Sequence, residues 1–190
     1  MRFVVVYGSV RTARQGIRAA RYVVRRLGDR GHAVTLLDPL ELRLPLLDLM
    51  YKEYPAGRAP APLETIAAAL RAADGFVIVT GEYNHGVPPA LSNLLDHFLE
   101  QWFWRPSAIV CYSGGAFGGV RAAVHLRAML GELGMPSIPS LFPVPEVQHA
   151  FAEDGAPLRP SLDARLARFL DELEWYARAL AEARRGGTPY

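Results

Sequence analysis

Polar residues and glycines concentrate in three short segments, each of which directly follows an apolar run. The first segment spans residues 8–16, and its residues of interest are Ser9, Arg11, Gln15 and Gly16. Unpaired N–H groups at the start of a helix attract anions, and an arginine adds a charge-assisted contact to phosphate. Val10 and Ala13 stand where a G-x-G-x-x-G loop needs glycine. The segment therefore favours a monophosphate over a pyrophosphate, with an ordinary strand-to-helix turn as the alternative.

The second segment, residues 80–89, combines aromatic, amide and imidazole side chains. Its candidate contacts are Glu82, Tyr83, Asn84 and His85. Tyr83 offers an aromatic face to a planar heterocycle, and the backbone of residues 82–85 would meet the polar edge of such a ring. Glu82 and His85 also fit an acid/base pair, although a histidine before glycine is commonly a solvent-facing turn residue. The alternative for the whole segment is the start of a helix at Pro88 or Pro89.

The third segment follows the run Ala108–Tyr112 and is dense in glycine. Its candidate contacts are Ser113, Gly114, Gly115 and Gly118. Glycines at this density expose backbone N–H groups that suit the carbonyl oxygens of a ring. Ser113 also fits a hydrolase nucleophile, but the G-x-S-x-G motif needs glycine where Cys111 stands. Cys111 itself lies in an apolar strand and is predicted to be a core residue rather than a nucleophile.

The segments are positioned by an alternation of strands and amphipathic helices. Strands are predicted over 3–7, 34–37, 76–79, 108–112 and 138–144, the last at a sheet edge because of its prolines. The longest helix starts after Ser161, a predicted N-cap. Right-handed crossovers turn this pattern into an α/β, flavodoxin-like three-layer sandwich with a five-stranded parallel sheet of order 2-1-3-4-5. Residues 1–190 are predicted to form a single domain whose ligand lies at the carboxyl ends of the strands.

Composition excludes several classes of partner. The net charge of +2, from 21 basic and 19 acidic residues, gives no reason to expect nucleic acid. The lone Cys111 precludes an internal disulfide, and the five histidines show no metal-ligand spacing, so no metal is predicted. The apolar run Phe3–Tyr7 is too short for a signal peptide or a membrane span. We therefore expect a cytoplasmic protein without membrane contact.

These motifs together resemble the NADPH-dependent FMN reductases and quinone reductases of flavodoxin-like fold. The resemblance covers GSVR at 8–11, LPLLD at 44–48, DGFVIVTGEYNHGVPPALSNLLDHF at 74–98 and YSGGAFGGVRAAVHLRAMLGELGM at 112–135. The family usually has proline where Gly81 stands and lysine where Ser92 stands. Glycine at position 81 would loosen the loop under the flavin.

The resemblance implies FMN as cofactor and NADPH or NADH as co-substrate. By resemblance, Ser9, Arg11 and Gln15 hold the phosphate, residues 82–85 border the isoalloxazine, and residues 113–115 cover its far edge. Electrons would pass by a ping-pong mechanism to a small acceptor such as a quinone, an azo compound, a ferric chelate, chromate or free flavin. No catalytic side chain is predicted, since the flavin itself carries the hydride. The alternative is a non-enzymatic FMN electron carrier or flavin sensor, although such carriers tend to be acidic.

Trp102, Phe103 and Trp104 form a run of three aromatic residues. A helix or loop cannot turn all three inward, so we predict an exposed patch at the interface of a homodimer or homotetramer. The resembling family forms such assemblies, which would place the loop 51–62 over the ring of the partner. The alternative is that the aromatics pack beneath the last helix, against Trp175 or Phe169.

Overall fold

Strands and helices alternate along residues 1–190, which the computed structural model describes completely. The strands are β1 (Arg2–Tyr7), β2 (Ala33–Leu37), β3 (Gly75–Gly81), β4 (Ser107–Tyr112) and β5 (Ser137–Val144). The helices are α1 (Ile17–Asp29), α2 (Pro39–Leu42), α3 (Ala61–Ala72), α4 (Pro89–Asp96), α5 (Val120–Glu132) and α6 (Ser161–Arg185). Single turns of 3-10 helix cover Tyr51–Glu53 and Val147–His149. None of the helices has both the length and the apolar character that crossing a bilayer needs.

The sheet is parallel throughout and has the predicted order β2-β1-β3-β4-β5. β5 lies at the edge, as its two prolines predict, and its register against β4 shifts between Ser107 and Ile109. The neighbouring strands β1, β3 and β4 are parallel, so their carboxyl ends lie at the same edge of the sheet. This order brings the three polar segments together.

Helices cover both faces of the sheet. α1 and α6 pack on the face that carries Phe3, Val5 and Tyr7 of β1. α3, α4 and α5 pack on the opposite face, against Val4 and Val6 of the same strand. Burial on both faces explains why β1 is apolar at nearly every position rather than at alternate ones.

The predicted aromatic patch is not formed. Trp102 is fully buried, packs edge-on against Phe76 at 4.9 Å and donates its indole N–H to the Leu95 carbonyl. Trp104 has a positive φ of 61° and contacts Tyr190, so the chain turns sharply within the run and the side chains diverge. The prediction that all three side chains form one exposed patch is therefore wrong, since Trp102 is buried and Phe103 and Trp104 are half-buried. The alternative partners Trp175 and Phe169 make no ring contact with them either.

One local prediction also needs correction, and one short helix was not predicted. Ser161 is the first residue of α6 rather than its N-cap, which is Pro160 and makes no side-chain cap bond. A proline already has a φ near the helical value, so the turn can begin without a capping hydroxyl. The short helix α2 was not predicted. It is capped by Asp38, which accepts from the Leu40 N–H at 3.0 Å.

Candidate functional site

A cleft of about 190 Å³ opens at the carboxyl edge of the sheet. The predicted site residues that line it are Ser9, Arg11, Gln15, Glu82, Tyr83, Ser113 and Gly114. The lining residues that sequence reasoning missed are Ala13, Arg14, Gly81, Tyr112, Val147 and Gln148. All three polar segments therefore meet in one cleft. The other predicted site residues do not line it: Gly16, Asn84, His85, Gly115 and Gly118.

The loop between β1 and α1 presents a row of free donors. No protein atom accepts a hydrogen bond from the backbone N–H groups of Thr12 to Gly16. The Arg11 side chain beside them is exposed and makes no hydrogen bond or ion pair. Unpaired N–H groups before a helix, with a free guanidinium, form an anion site.

Hydroxyl groups form the floor beneath this loop. Ser9 is 2% exposed, and its Oγ lies 3.1 Å from the Tyr83 hydroxyl. This contact ties the ring of Tyr83 to the anion-binding loop. Tyr112 donates to the Tyr7 hydroxyl at 3.2 Å, and burial raises the pKa of both Tyr7 and Tyr112. Both phenols are therefore neutral at physiological pH.

The position of the Tyr112 ring accounts for the presence of glycine at two positions of the site. A Cβ at Gly16 would lie 2.0 Å from the Tyr112 Cζ, and a Cβ at Gly81 would lie 3.1 Å from the same atom. The Tyr112 ring therefore occupies space that a side chain at either position would fill. Gly81 is paired within β3 opposite Tyr112, so glycine at this position serves close packing rather than loosening the loop.

A buried ion pair fixes the anion-binding loop to the end of β2. Arg14 pairs with Asp38, and their side chains are 12% and 4% exposed. The Arg14 guanidinium also donates to the Ser9 carbonyl at 3.3 Å and lies 5.4 Å from the Tyr7 ring centroid. The hydrogen bond that Arg14 donates to Asp38 raises the pKa of Arg14. The pair was missed because it joins residues 24 positions apart on different segments.

The hypothesised acid/base pair of Glu82 and His85 is not formed. Arg121 Nε donates to Glu82 Oε1 at 2.8 Å, and the N–H groups of Arg121 and Ala122 point to Glu82 Oε2. Burial by itself would raise the pKa of Glu82, but these donors lower it below its ordinary value. Glu82 is thus an anionic cap for the start of α5, while His85 is exposed.

The segment after β3 closes in a two-residue turn. Tyr83 and Gly86 exchange both backbone hydrogen bonds, at 3.1 and 2.9 Å, and the central residues Asn84 and His85 have φ values of 51° and 65°. Positive φ at two consecutive non-glycine residues is uncommon and marks a constrained loop. The N–H groups of Glu82, Asn84 and His85 have no protein acceptor. They are available to a ligand.

The glycine segment after β4 is anchored by its carbonyl groups. The Ser113 and Gly115 carbonyls accept from the N–H groups of Val147 and Glu146, each at 3.1 Å. Gln148 Nε2 donates to the Gly114 carbonyl at 3.1 Å. The N–H groups of Gly114 and Gly115 remain unpaired. The residues that follow β5 therefore hold this loop so that its donors are free.

Two competing roles for this segment find no support in its geometry. The Ser113 hydroxyl donates to the Gly115 carbonyl at 2.8 Å instead of to a histidine, so the hydrolase arrangement is not formed. Burial raises the pKa of the Cys111 thiol to about 12, which leaves it protonated.

Gly118 has a φ of 63° and packs against Pro143 and Pro145. Its role is to turn the chain.

An open parallel sheet with an anion-binding loop after β1 and free donors after β3 and β4 defines a flavodoxin-like protein with a ligand cleft at the carboxyl edge of the sheet. The chain belongs to the NADPH-dependent FMN reductase family, whose model matches residues 1–149.

Individual relatives agree with this family. A Pseudomonas putida quinone reductase is 32% identical over 144 residues, which cover 70% of each chain. A Schizosaccharomyces pombe NAD(P)H-dependent FMN reductase is 44% identical over 72 residues, 36% of this chain and 35% of that protein. The chain thus spans about a third of the length of that relative. FerB, a flavoenzyme NAD(P)H:(acceptor) oxidoreductase from Paracoccus denitrificans, has the same fold, with a TM-score of 0.75 at 21% identity over 92% of this chain and 98% of that one.

Proposed function

We propose that the chain binds FMN in this cleft and acts as an NAD(P)H-dependent reductase of a small acceptor. The proposal rests on the unpaired N–H groups of Thr12 to Gly16 beside the free Arg11 side chain. These donors, with Ser9 and Gln15, would hold the phosphate. The free N–H groups of Glu82, Asn84 and His85, with those of Gly114 and Gly115, would meet the polar edge of the ring. The unpaired donors thus match both the phosphate and the ring of FMN.

Bound FMN supplies hydride acceptance and electron donation, with NADPH or NADH as reductant. The protein would position the ring and leave one face open to the cleft. The N–H groups of Gly114 and Gly115 would stabilise the negative charge that reduction adds. With Glu82 paired to Arg121 and no other carboxylate or histidine in the cleft lining, no protein base is assigned.

The acceptor would be a quinone, an azo compound, a ferric chelate, chromate or free flavin, used in a ping-pong cycle. The names of the quinone reductase relatives favour a quinone. We also propose a cytoplasmic location, for which the buried free thiol of Cys111 is the supporting observation. The whole chain would act as one FMN-binding domain.

Purified protein is expected to retain a flavin absorbance band after mixing with FMN and desalting. It should also oxidise NADPH or NADH when a quinone is added. Flavin binding without turnover would favour the electron carrier or the sensor. If no absorbance band is retained and flavin fluorescence does not change on mixing, the protein does not bind FMN and the proposal is wrong.

Arg11→Ala is expected to weaken FMN binding by roughly tenfold to a hundredfold, because a hydrogen bond to a charged group contributes about 1.5–3 kcal/mol. Riboflavin has no phosphate and should bind both proteins almost equally. Fluorescence titrations with the two flavins measure the difference. Equal weakening for FMN and riboflavin would mean that Arg11 supports the loop and not the phosphate.

A homodimer or homotetramer remains our proposal, on a different surface from the aromatic run. The segment Pro45–Leu49, here called the leucine strap, lies along α4, where Asn93 bonds the Leu47 N–H and the Pro45 carbonyl. Leu46 is 84% exposed, and Leu47 and Leu49 are exposed beside it. Monomeric proteins rarely leave such neighbouring apolar side chains in water.

Leu46→Glu is therefore expected to dissociate the assembly into monomers with a mass near 20.9 kDa, measured by light scattering on a size-exclusion column. Leu158→Glu is the matched control, since Leu158 is a similarly exposed leucine outside the strap. A wild-type mass near 20.9 kDa at micromolar concentration with FMN bound would refute the assembly.

A further inference from the structure

The loop between β4 and α5 contains a peptide group that no backbone donor holds. The Ser113 and Gly115 carbonyls each accept from a backbone N–H of the segment after β5, at 3.1 Å. The Gly114 carbonyl accepts from no backbone N–H, and its one protein donor is Gln148 Nε2, at 3.1 Å. The direction of the peptide between Gly114 and Gly115 therefore depends on a single side chain.

The Gln148 bond also sets the direction of a donor. In a planar trans peptide the carbonyl oxygen and the amide hydrogen point in opposite directions, and no peptide bond of the chain is cis. While Gln148 holds the Gly114 carbonyl, the N–H of Gly115 points the opposite way and meets no protein acceptor. A half-turn of this peptide would exchange the two groups. An acceptor would then stand where the structure has a donor.

The two glycines that flank this peptide make such a half-turn possible. It changes ψ of Gly114 and φ of Gly115, and glycine tolerates both changes because it has no Cβ. The φ of Gly115 lies outside the left-handed region, and the half-turn would bring it toward positive values, which residues with a Cβ rarely adopt. A Cβ built at Gly115 meets nothing within 4 Å. The space beside Gly115 is therefore open, and the Gln148 bond is what restrains the peptide.

Gln148 lies on a support that is itself fixed to the loop. It belongs to the 3-10 turn Val147–His149 and lines the cleft together with Gly114. Val147 is 4% exposed, and its N–H donates to the Ser113 carbonyl. The Gln148 side chain is half-buried and makes no other hydrogen bond. Its one polar contact can therefore be removed without removing a core residue.

We propose that Gln148 is a positioning residue that keeps the Gly115 N–H directed at the flavin ring and thereby favours the reduced form of FMN. The inference rests on the proposed function, in which the donors of Gly114 and Gly115 meet the polar edge of the ring. Reduction adds negative charge to the ring, so an N–H there stabilises the reduced form more than the oxidised form, and a carbonyl oxygen has the opposite effect. Gln148 thus raises the reduction potential of the bound flavin.

The test compares the wild type with Gln148→Met, which removes the donor and keeps an unbranched, neutral side chain. Affinities for oxidised FMN, and for FMN kept reduced with dithionite, are measured by anaerobic titration, and the midpoint potential is measured separately at pH 8. Oxidised FMN should bind almost as in the wild type, whereas reduced FMN should bind roughly threefold to tenfold more weakly. The potential should accordingly fall by about 15–30 mV. His149→Met is the matched control, since His149 is the exposed neighbour that does not line the cleft, and it should leave the potential unchanged.

The double variant Gly115→Ala/Gln148→Met tests the direction of the peptide. An alanine Cβ disfavours the positive φ that the turned peptide needs, so the double variant should recover most of the wild-type ratio between the two affinities. Contact of the added methyl group with the ring would weaken both forms of FMN and leave that ratio unaffected. A ratio that stays at the value of Gln148→Met would contradict the proposed role.

Equal weakening of oxidised and reduced FMN in Gln148→Met, with an unchanged potential, would make Gln148 a structural residue and overturn the inference. An equal fall of the potential in His149→Met would overturn it as well. A wild type that does not bind FMN would refute the proposed function and this inference with it. A wild type that binds FMN without turnover would leave the comparison valid, because neither affinity nor potential depends on turnover.

Discussion

Gly16→Ala is expected to weaken FMN binding by on the order of 100-fold, because overpacking at a rigid site costs about 3 kcal/mol. The new Cβ would lie 2.0 Å from Cζ and 2.3 Å from Cε1 of Tyr112. The Tyr112 ring is buried and bonded to Tyr7, so it has little room to move. The loop must move instead, and it carries the unpaired N–H groups of Thr12 to Gly16. Fluorescence titration with FMN measures the loss.

Gly28→Ala is the matched control for this substitution. Gly28 lies in α1, and a Cβ there meets nothing within 4 Å. Alanine is the better helix former by about 1 kcal/mol, so stability should rise slightly and FMN affinity should stay the same. The double variant Gly16→Ala/Tyr112→Ala should recover part of the affinity, since the clash is removed. Wild-type FMN affinity in Gly16→Ala would show that Tyr112 does not hold the loop in place.

Asp38→Ala is expected to lower the free energy of unfolding by about 3–5 kcal/mol. The substitution leaves the Arg14 guanidinium, whose side chain is only 12% exposed, without its counter-charge. It also removes the acceptor for the Leu40 N–H at the start of α2. FMN binding should weaken as well, because Arg14 also bonds the Ser9 carbonyl in the anion-binding loop. Urea unfolding followed by circular dichroism measures the change in stability.

Glu182→Ala provides the comparison for Asp38→Ala. It breaks the pair between Glu182 and Arg185, whose side chains are 71% and 77% exposed, and should cost at most about 1 kcal/mol. Replacing both buried partners, as in Arg14→Met/Asp38→Leu, should restore much of the stability but not the FMN affinity. A cost below about 1 kcal/mol for Asp38→Ala would mean that the Arg14–Asp38 pair behaves like a surface pair.

The three ligand-type segments were recognisable because their signals are local. Each combines glycine or proline with polar residues directly after an apolar run, and the structure brings all three into one cleft. The role of individual residues was less accessible. The contact of the Tyr83 hydroxyl with Ser9 was not predicted, although it leaves the expected ring face of Tyr83 untouched. Glu82 was considered as an acid or base, yet it caps α5. Both contacts depend on which side chain the fold places beside Tyr83 and Glu82, namely Ser9 and Arg121.

The aromatic run illustrates the same limit. Trp102, Phe103 and Trp104 predict exposure only if the backbone stays regular through them. The positive φ at Trp104 breaks that regularity and allows Trp102 to enter the core beside Phe76. The leucine strap shows the opposite error. Leucine side chains usually indicate burial, but Leu46, Leu47 and Leu49 are exposed in the structure.

The sequence by itself determined the order of the five strands and of the helices other than α2, the sheet order and the three loops of the cleft. Apolar periodicity and chain breakers act over a few neighbouring residues, and the handedness of crossovers then leaves few topologies. Only the tertiary structure decided the pairing of Arg14 with Asp38, the contact of Tyr7 with Tyr112 across 105 positions, and the glycines that this ring requires. These contacts depend on distances between side chains of strands that are neighbours in space, and local sequence does not encode such distances.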